Sequence, residues 1–200
     1  MQVPGVASDV AYLESFAAEM FASRGTYGWG HTWLGDAYLV MQWAHLQPEI
    51  IFDETILQRG LDQYKVLVMM DCDVLTRSVV EKVKAFQARG GIVIGDERLC
   101  PAIKPDILIR SYERIGKADV DKRALQERAA ELSRKLAGRY ERYVDCDNPD
   151  VVVYRRRYKS ADYVFVVNDR RQFGKYVGHH GRGMELGLPS QATVTIARSG

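Results

Sequence analysis

The residues whose types best suit chemistry are Asp71-Cys72-Asp73, a cysteine between two aspartates at the end of the apolar run Val66 to Met70. A cysteine at the mouth of a sheet becomes a nucleophile when a strained strand-to-helix turn exposes it and a base activates it. Such a turn needs small neighbours, and Cys72 has Met70 and Val74 two residues away on either side. Flanking carboxylates also raise a thiol's pKa and disfavour the reactive thiolate. The expectation for Cys72 is therefore an inert apolar residue. Cys100, in Gly95-Asp96-Glu97-Arg98-Leu99-Cys100-Pro101, also lacks a Gly-x-Cys-x-Gly elbow. A Cys-dependent hydrolase or amidotransferase built on Cys72 or Cys100 stands as one alternative, and a small-ligand or metal-binding regulatory domain working through acidic loops as another.

Carboxylates recur beyond three short apolar runs: Asp53 with Glu54, Asp71 with Asp73, and Asp96 with Glu97 beside Arg98. A sheet that brings those run ends to one edge would make a cation or sugar-hydroxyl site of them. The plainer use is capping of the following helices and pairing with Arg98. Trp29, His31 and Trp33 lie in GTYGWGHTWLG, residues 25–35, which reads as a loop. Flat rings stack on sugar faces, although a loop folded over its own aromatics is the simpler reading. The glycines of GTYGWG stand too far from a helix start for a dinucleotide site. His179-His180 diverge on any strand and have no third ligand placed, so no metal site is expected. Arg155-Arg156-Arg157 alternates across a strand, which suits a salt-bridged edge rather than one basic patch.

The elements that would position these residues are legible in part. Lys65 to Met70 is a strand buried on both faces, and Thr76 caps a helix with Val79, Val80, Val83 and Phe86 on one side. Gly90-Gly91 stops that helix, and residues 91–95 form the next strand. Upstream, Asp36 to Leu46 reads as a helix and Glu49 to Phe52 as a strand after Pro48; Val10 to Leu13 fits the opening strand, though Tyr12, Leu13, Phe16 and Met20 also fit a helical period. Downstream come a short strand at Asp106 to Ile109 and a helix from Asp121 to Ala137 striped by Leu125, Ala129, Leu132 and Leu136. Asp150 to Tyr158, Asp162 to Asn168 and Ala192 to Ala197 then read as strands, with a long glycine-rich connection between the last two.

Composition narrows the function classes. Charges nearly cancel, 28 basic against 26 acidic, so no electrostatic footprint for nucleic acid is present. No apolar window reaches the ~18 residues of a membrane span. The start, MQVPGVASDV, does not read as a signal peptide, and three widely spaced cysteines suit free thiols, so a cytoplasmic setting is expected.

The stretch LQRGLDQYKVLVMMDCDVLTRSVVEKVKAFQARGGIVIGDE resembles a known family, the class I glutamine-amidotransferase-like domain found in the middle of glycoside hydrolases as the β-galactosidase trimerisation domain. The likeness rests on Leu61, Tyr64 and Lys65 as lead-in, the strand Val66 to Met70, Leu75, the helix positions Val79, Val83 and Phe86, and Gly90-Gly91; it covers residues 10–100. DYVFVVNDRRQ, Asp162 to Gln172, resembles a strand of glycosidase accessory sandwiches. The two αβ units before Asp71 point to a doubly wound sheet, and the closing strands to a small antiparallel sheet or the opening of a β-sandwich. With the resemblance, the expected fold is α/β, a flavodoxin-like, doubly wound, mostly parallel sheet with a C-terminal antiparallel β element. The expected organisation is an α/β domain over residues 1–112, a connecting helical segment over 113–145 and the β element over 146–200. No cofactor is implied. The role implied is non-catalytic: a homo-oligomer, dimer or trimer, or accessory binding of a carbohydrate or small polar ligand, with no nucleic-acid or membrane partner. The apolar run Tyr163 to Val167 is expected to be buried on both faces and to contribute to the oligomer contact.

Overall fold

Val66–Met69 is apolar at every position, and a strand of that kind needs cover on both faces. In the computed structural model, which describes residues 6–21, 33–176 and 182–197 apart from the side chains of 175–185, this strand is the middle one of five. The strands are β1 (Val10–Glu14), β2 (Glu49–Phe52), β3 (Val66–Met69), β4 (Ile92–Gly95) and β5 (Ile107–Leu108), ordered β2-β1-β3-β4-β5 with every pair parallel. Tyr12 stands opposite Ile50 on one side and Val68 on the other. Two such partners settle the ambiguity of the first segment: Val10–Glu14 is strand, and the helix α1 (Phe16–Phe21) begins only after it.

Three more helices follow the strands: α2 (Trp33–Trp43), α3 (Asp53–Arg59) and α4 (Arg77–Ala88). Residues 33–35 are thus helical where a loop was expected, because Trp33 and Leu34 are buried and start the apolar side of α2. Helix α2 ends before Leu46, with His45 at φ 57. Helix α4 follows the expected pattern closely. The Thr76 side chain accepts from the Val79 amide, and Val79, Val83 and Phe86 join Leu67, Met69 and Val93 in one core. Its end is a reciprocal cap in which the Gly90 amide donates to the Gln87 carbonyl at 2.9 Å and the Gly91 amide to Phe86 at 3.0 Å.

The chain divides into two compact units, one of Ala7–Tyr38 with Gln47–Ser111 and another chiefly of Leu39–Leu46 with Tyr112–Gly200. The second holds α5 (Ala118–Leu136), whose Leu125, Ala129, Leu132 and Leu136 are all buried as the stripe requires. Its strands are β6 (Val144–Cys146), β7 (Val151–Tyr158), β8 (Ala161–Asn168), β9 (Arg171–Tyr176), β10 (Arg182–Gly187) and β11 (Val194–Ile196). They pair antiparallel in twos: β7 with β8, β9 with β10, and β6 with β11. The glycine-rich segment read as a connection contains the β9–β10 hairpin, whose register shifts blur the alternation that marks a strand. His179 and His180 lie outside the described residues. The Arg155 and Arg157 guanidiniums pair with Asp162 across the β7–β8 hairpin.

Strand β8 is largely uncovered within the single chain. Tyr163, Phe165, Val166 and Val167 are exposed, Val166 by 53%, and only Val164 joins the small core of Val144, Val151 and Val153. Among the described residues β8 pairs on one edge, with β7, and packs Val164 against β6, β7 and β11 side chains, so other apolar residues on both faces remain uncovered. Among the described residues no helix is long and apolar enough to cross a membrane.

The glycine pair generates a prediction with two mechanisms. Gly90 sits at φ +91 with open space around a notional Cβ, so Gly90→Val meets backbone strain and should cost about 1 kcal/mol or more. Gly91 has no such φ, but a Cβ there would stand 2.4 Å from ring carbons of the buried Phe86, and Gly91→Ala should cost roughly 1–3 kcal/mol. Urea unfolding should show both midpoints lowered with unchanged slope; an unmoved midpoint in either variant refutes its mechanism.

Candidate functional site at the strand ends

In a parallel sheet of this order the loops beyond the strand carboxyl ends gather along one edge, where ligands of open α/β sheets usually bind. The structure brings Asp71, Asp96 and Arg98 together there. The chain leaves β3 through Asp71 at φ 54, a left-handed turn that aspartate tolerates better than most residues. The Asp71 amide donates to Asp96 Oδ2 at 2.8 Å, and the Arg98 amide donates to Asp96 Oδ1 at 3.0 Å. Arg98 Nη1 donates to Asp71 Oδ1 at 3.0 Å, joining a fully buried carboxylate to a half-exposed guanidinium. The Cys100 amide donates to the Cys72 carbonyl at 2.8 Å, which closes the ends of β3 and β4 together.

Burial pushes the Asp96 carboxyl up to about 6; the amide hydrogen bonds hold it down, and the nearby Asp71 and Glu97 charges add to the rise. Glu97 is exposed and shifts the other way. Its slight burial raises it, but hydrogen bonds from the Ser111 hydroxyl and amide outweigh that. Asp73 is half-buried in the loop before α4.

Cys72 is buried among apolar side chains including Leu75 and Val79, and its thiol donates to the Met70 carbonyl with Sγ 3.4 Å away. Cys100 is half-buried, and neither cysteine is in a disulfide. Asp53 sits at the end of β2, buried, and serves the start of α1: its Oδ2 accepts from Ser15 Oγ at 3.0 Å and the Ala17 amide at 3.1 Å. Trp33 is buried at the first turn of α2. Trp29 and His31 lie outside the described residues. No group of three His, Cys, Asp or Glu side chains among the described residues is arranged to hold a metal ion.

Tyr12 belongs to this region and carries no signal in the sequence, being one aromatic in an apolar strand. Its hydroxyl donates to the Leu34 carbonyl at 2.9 Å. Burial drives its pKa well above 10, with Cys72, Asp96 and Asp71 adding to the rise, so the phenol stays protonated beside the carboxylates. Ser111 was equally silent. Chemically, the arrangement offers one carboxyl titrating near neutrality, a neutral phenol and a half-exposed guanidinium.

Taken together the fold is mixed α/β, a five-stranded parallel sheet with helices and small antiparallel sheets. No protein-family model and no curated protein matches the sequence. Solved structures do. The chain is similar to α-L-fucosidase isoenzyme 2 from Paenibacillus thiaminolyticus, with a TM-score of 0.57 at 13% identity over 95% of this chain and 42% of that one. It is also similar to Gan42B, a GH42 β-galactosidase from G. stearothermophilus, at a TM-score of 0.47 and 15% identity over 97% of this chain and 41% of that one. A β-galactosidase from the psychrophilic Marinomonas ef1 gives a TM-score of 0.37 at 15% identity over 96% and 23%. At such identity the fucosidase likeness is one of fold. The chain spans less than half the length of each of these proteins.

The Asp96 geometry predicts a pH effect. An acid whose folded pKa lies above its unfolded value of 3.8 binds its proton more tightly when folded. Asp96 therefore contributes stability at acid pH that is lost as pH rises through about 6. The stability of Asp96→Asn, relative to the parent, should climb between about pH 4 and 6 and level off above. Carboxyl carbon NMR should find Asp96 titrating near 6; a midpoint at the ordinary aspartate value would refute the assignment.

Proposed function

We propose that this chain is a non-catalytic, glutamine-amidotransferase-like module of a carbohydrate-active, β-galactosidase-like system, serving oligomerisation or accessory ligand binding. The observation that carries the reading is the end of β3. There Asp71 takes the left-handed turn, and Cys72 is packed into the core with its thiol turned to a backbone carbonyl. A nucleophile needs an exposed thiolate near a base. The strand order 2-1-3-4-5 is that of flavodoxin-like sheets, which supports a doubly wound domain. The fold likeness to a fucosidase supports a glycosidase setting. Within this reading residues 1–112 form the amidotransferase-like domain, 113–145 a connecting segment and 146–200 the β element.

The exposed apolar residues of β8 support a homo-oligomer, because a long uncovered edge strand is a ready template for pairing. A second reading, a small polar ligand bound at the strand ends, is favoured by the Asp96 carboxyl near 6 and the half-exposed Arg98 beside it.

Thiol alkylation at neutral pH separates the readings. Cys72 should react more slowly than the half-buried Cys100 and Cys146, and Cys72→Ser should leave any activity unchanged. Fast alkylation of Cys72, with loss of a hydrolytic activity in a folded Cys72→Ser variant, would establish the enzyme instead. Light scattering should give a mass of at least twice 22.7 kDa at micromolar concentration, and a monomer would remove the oligomerisation role.

A further inference from the structure

The unit formed by Leu39–Leu46 and Tyr112–Gly200 contains a cavity of about 370 Å³, open on one side, that plays no part in the reading above. It lies against the end of α2, the first turns of α5 and the start of β9, and Leu125 and Val152 are among its apolar lining. Two aromatic side chains, Trp43 and Phe173, line it as well, with Gln42 and Asp169 as polar neighbours.

Lys122, Asp169 and Arg171 of its lining are committed to one another, with Asp150 as a further partner of Lys122. Lys122 Nζ is 2.9 Å from Asp150 Oδ1 and 3.0 Å from Asp169 Oδ2, and it donates to the Asp169 carbonyl at 2.7 Å. An ammonium has three N–H donors, and these contacts occupy all of them. The same nitrogen lies 5.9 Å from the centre of the Trp43 ring. Arg171 pairs with the other oxygen of Asp169 and approaches the Phe173 ring. Asp121 accepts from the Tyr112 hydroxyl at 2.7 Å and the Ile115 amide at 3.0 Å.

Two consequences follow for a ligand. One ammonium pins α5, the start of β7 and the approach to β9, so the lining is set in advance and little ordering entropy is lost on binding. The lining sets Arg114, Lys122 and Arg171 against Asp121 and Asp169, and Asp150, outside the lining, pairs with Lys122. The charges balance only when that aspartate is counted, so the site has little net charge to offer an ion. It offers rings for an apolar face, and polar edges with acceptor capacity left, since each carboxylate oxygen has a second lone pair. A pyranose has such a face of C–H groups and a rim of hydroxyls, and the volume lies in the range of small-ligand sites, about 300–1,000 Å³.

We propose that this cavity binds a neutral pyranose sugar, packed on Trp43 and Phe173 and hydrogen-bonded by Asp169 and Gln42. The proposal stands apart from the strand-end reading, and a catalytic role there would leave it intact. The test is a titration of the whole chain with methyl β-galactopyranoside, methyl β-glucopyranoside and galacturonate, followed by amide and indole NMR. At least one neutral glycoside should shift the Trp43 indole and saturate with a dissociation constant on the order of 1 mM. Trp43→Ala and Phe173→Ala should each weaken binding about tenfold, and Trp43→Phe, which keeps a ring, should retain most of it. Gln42→Ala gives an independent reading should either aromatic variant fail to fold, and it should weaken binding severalfold. An indole unmoved by both neutral glycosides at about 50 mM would overturn the proposal, as would tighter binding of galacturonate. Shifts confined to the Asp71, Asp96 and Arg98 amides would overturn it too, by placing the sugar at the strand ends.

Discussion

A parallel sheet covered on both faces has no wet side, so every backbone group that leaves the ladder must find a partner at the strand ends. In this protein one carboxylate meets much of that demand. Asp96 receives the amides of Asp71 and Arg98, and so ties the exit of β3 to the exit of β4. The left-handed turn at Asp71, the reach of Arg98 back to it, and the Cys72–Cys100 backbone bond are all arranged around that anchor. The cost is a buried acid, which settles the balance by holding its proton more tightly.

This explains how residues that look like a ligand site in sequence also serve as internal wiring in the fold. A run of carboxylates after successive strands is legible, because strand ends are marked by the close of an apolar run. Their partners are not. Asp53 serves the first turn of α1 across 36 to 38 residues of sequence, and Asp96 serves a turn 25 residues earlier. Only the parallel register creates those neighbours, and no local pattern encodes it.

The same division holds for the fold. Thr76, Gly90 and the stripe of α5 are local signals with local physical causes, and they place their elements within a residue or three. Trp33 and β8 lie at opposite depths for a shared reason. Burial is a property of layers, and the sequence of a segment does not say whether a second layer exists. Thus an aromatic in a glycine-rich stretch lies under the surface, while a run of valines around Phe165 lies on it. The second unit accordingly leans on polar clasps. The His45 ring sits 2.8 Å from Asp145 Oδ1 and 3.0 Å from the Val151 carbonyl, and Lys122 spans two aspartates.

The uncovered β8 also bears on how the folded chain meets copies of itself. Tyr163 to Val167 is a block of uncharged β-formers without proline, the composition that lets like segments stack into fibrils. Charges bracket it: Asp162 on one side, Asp169 and Arg170 just beyond Asn168 on the other, the position where natural sequences set gatekeepers. Hydrogen bonds from Arg157 and Arg155 hold the Asp162 carboxyl far below the usual aspartate range. Acid that neutralises ordinary carboxylates therefore leaves Asp162 ionised and paired with Arg155 and Arg157 in the folded hairpin, so the charge beside the apolar block persists there.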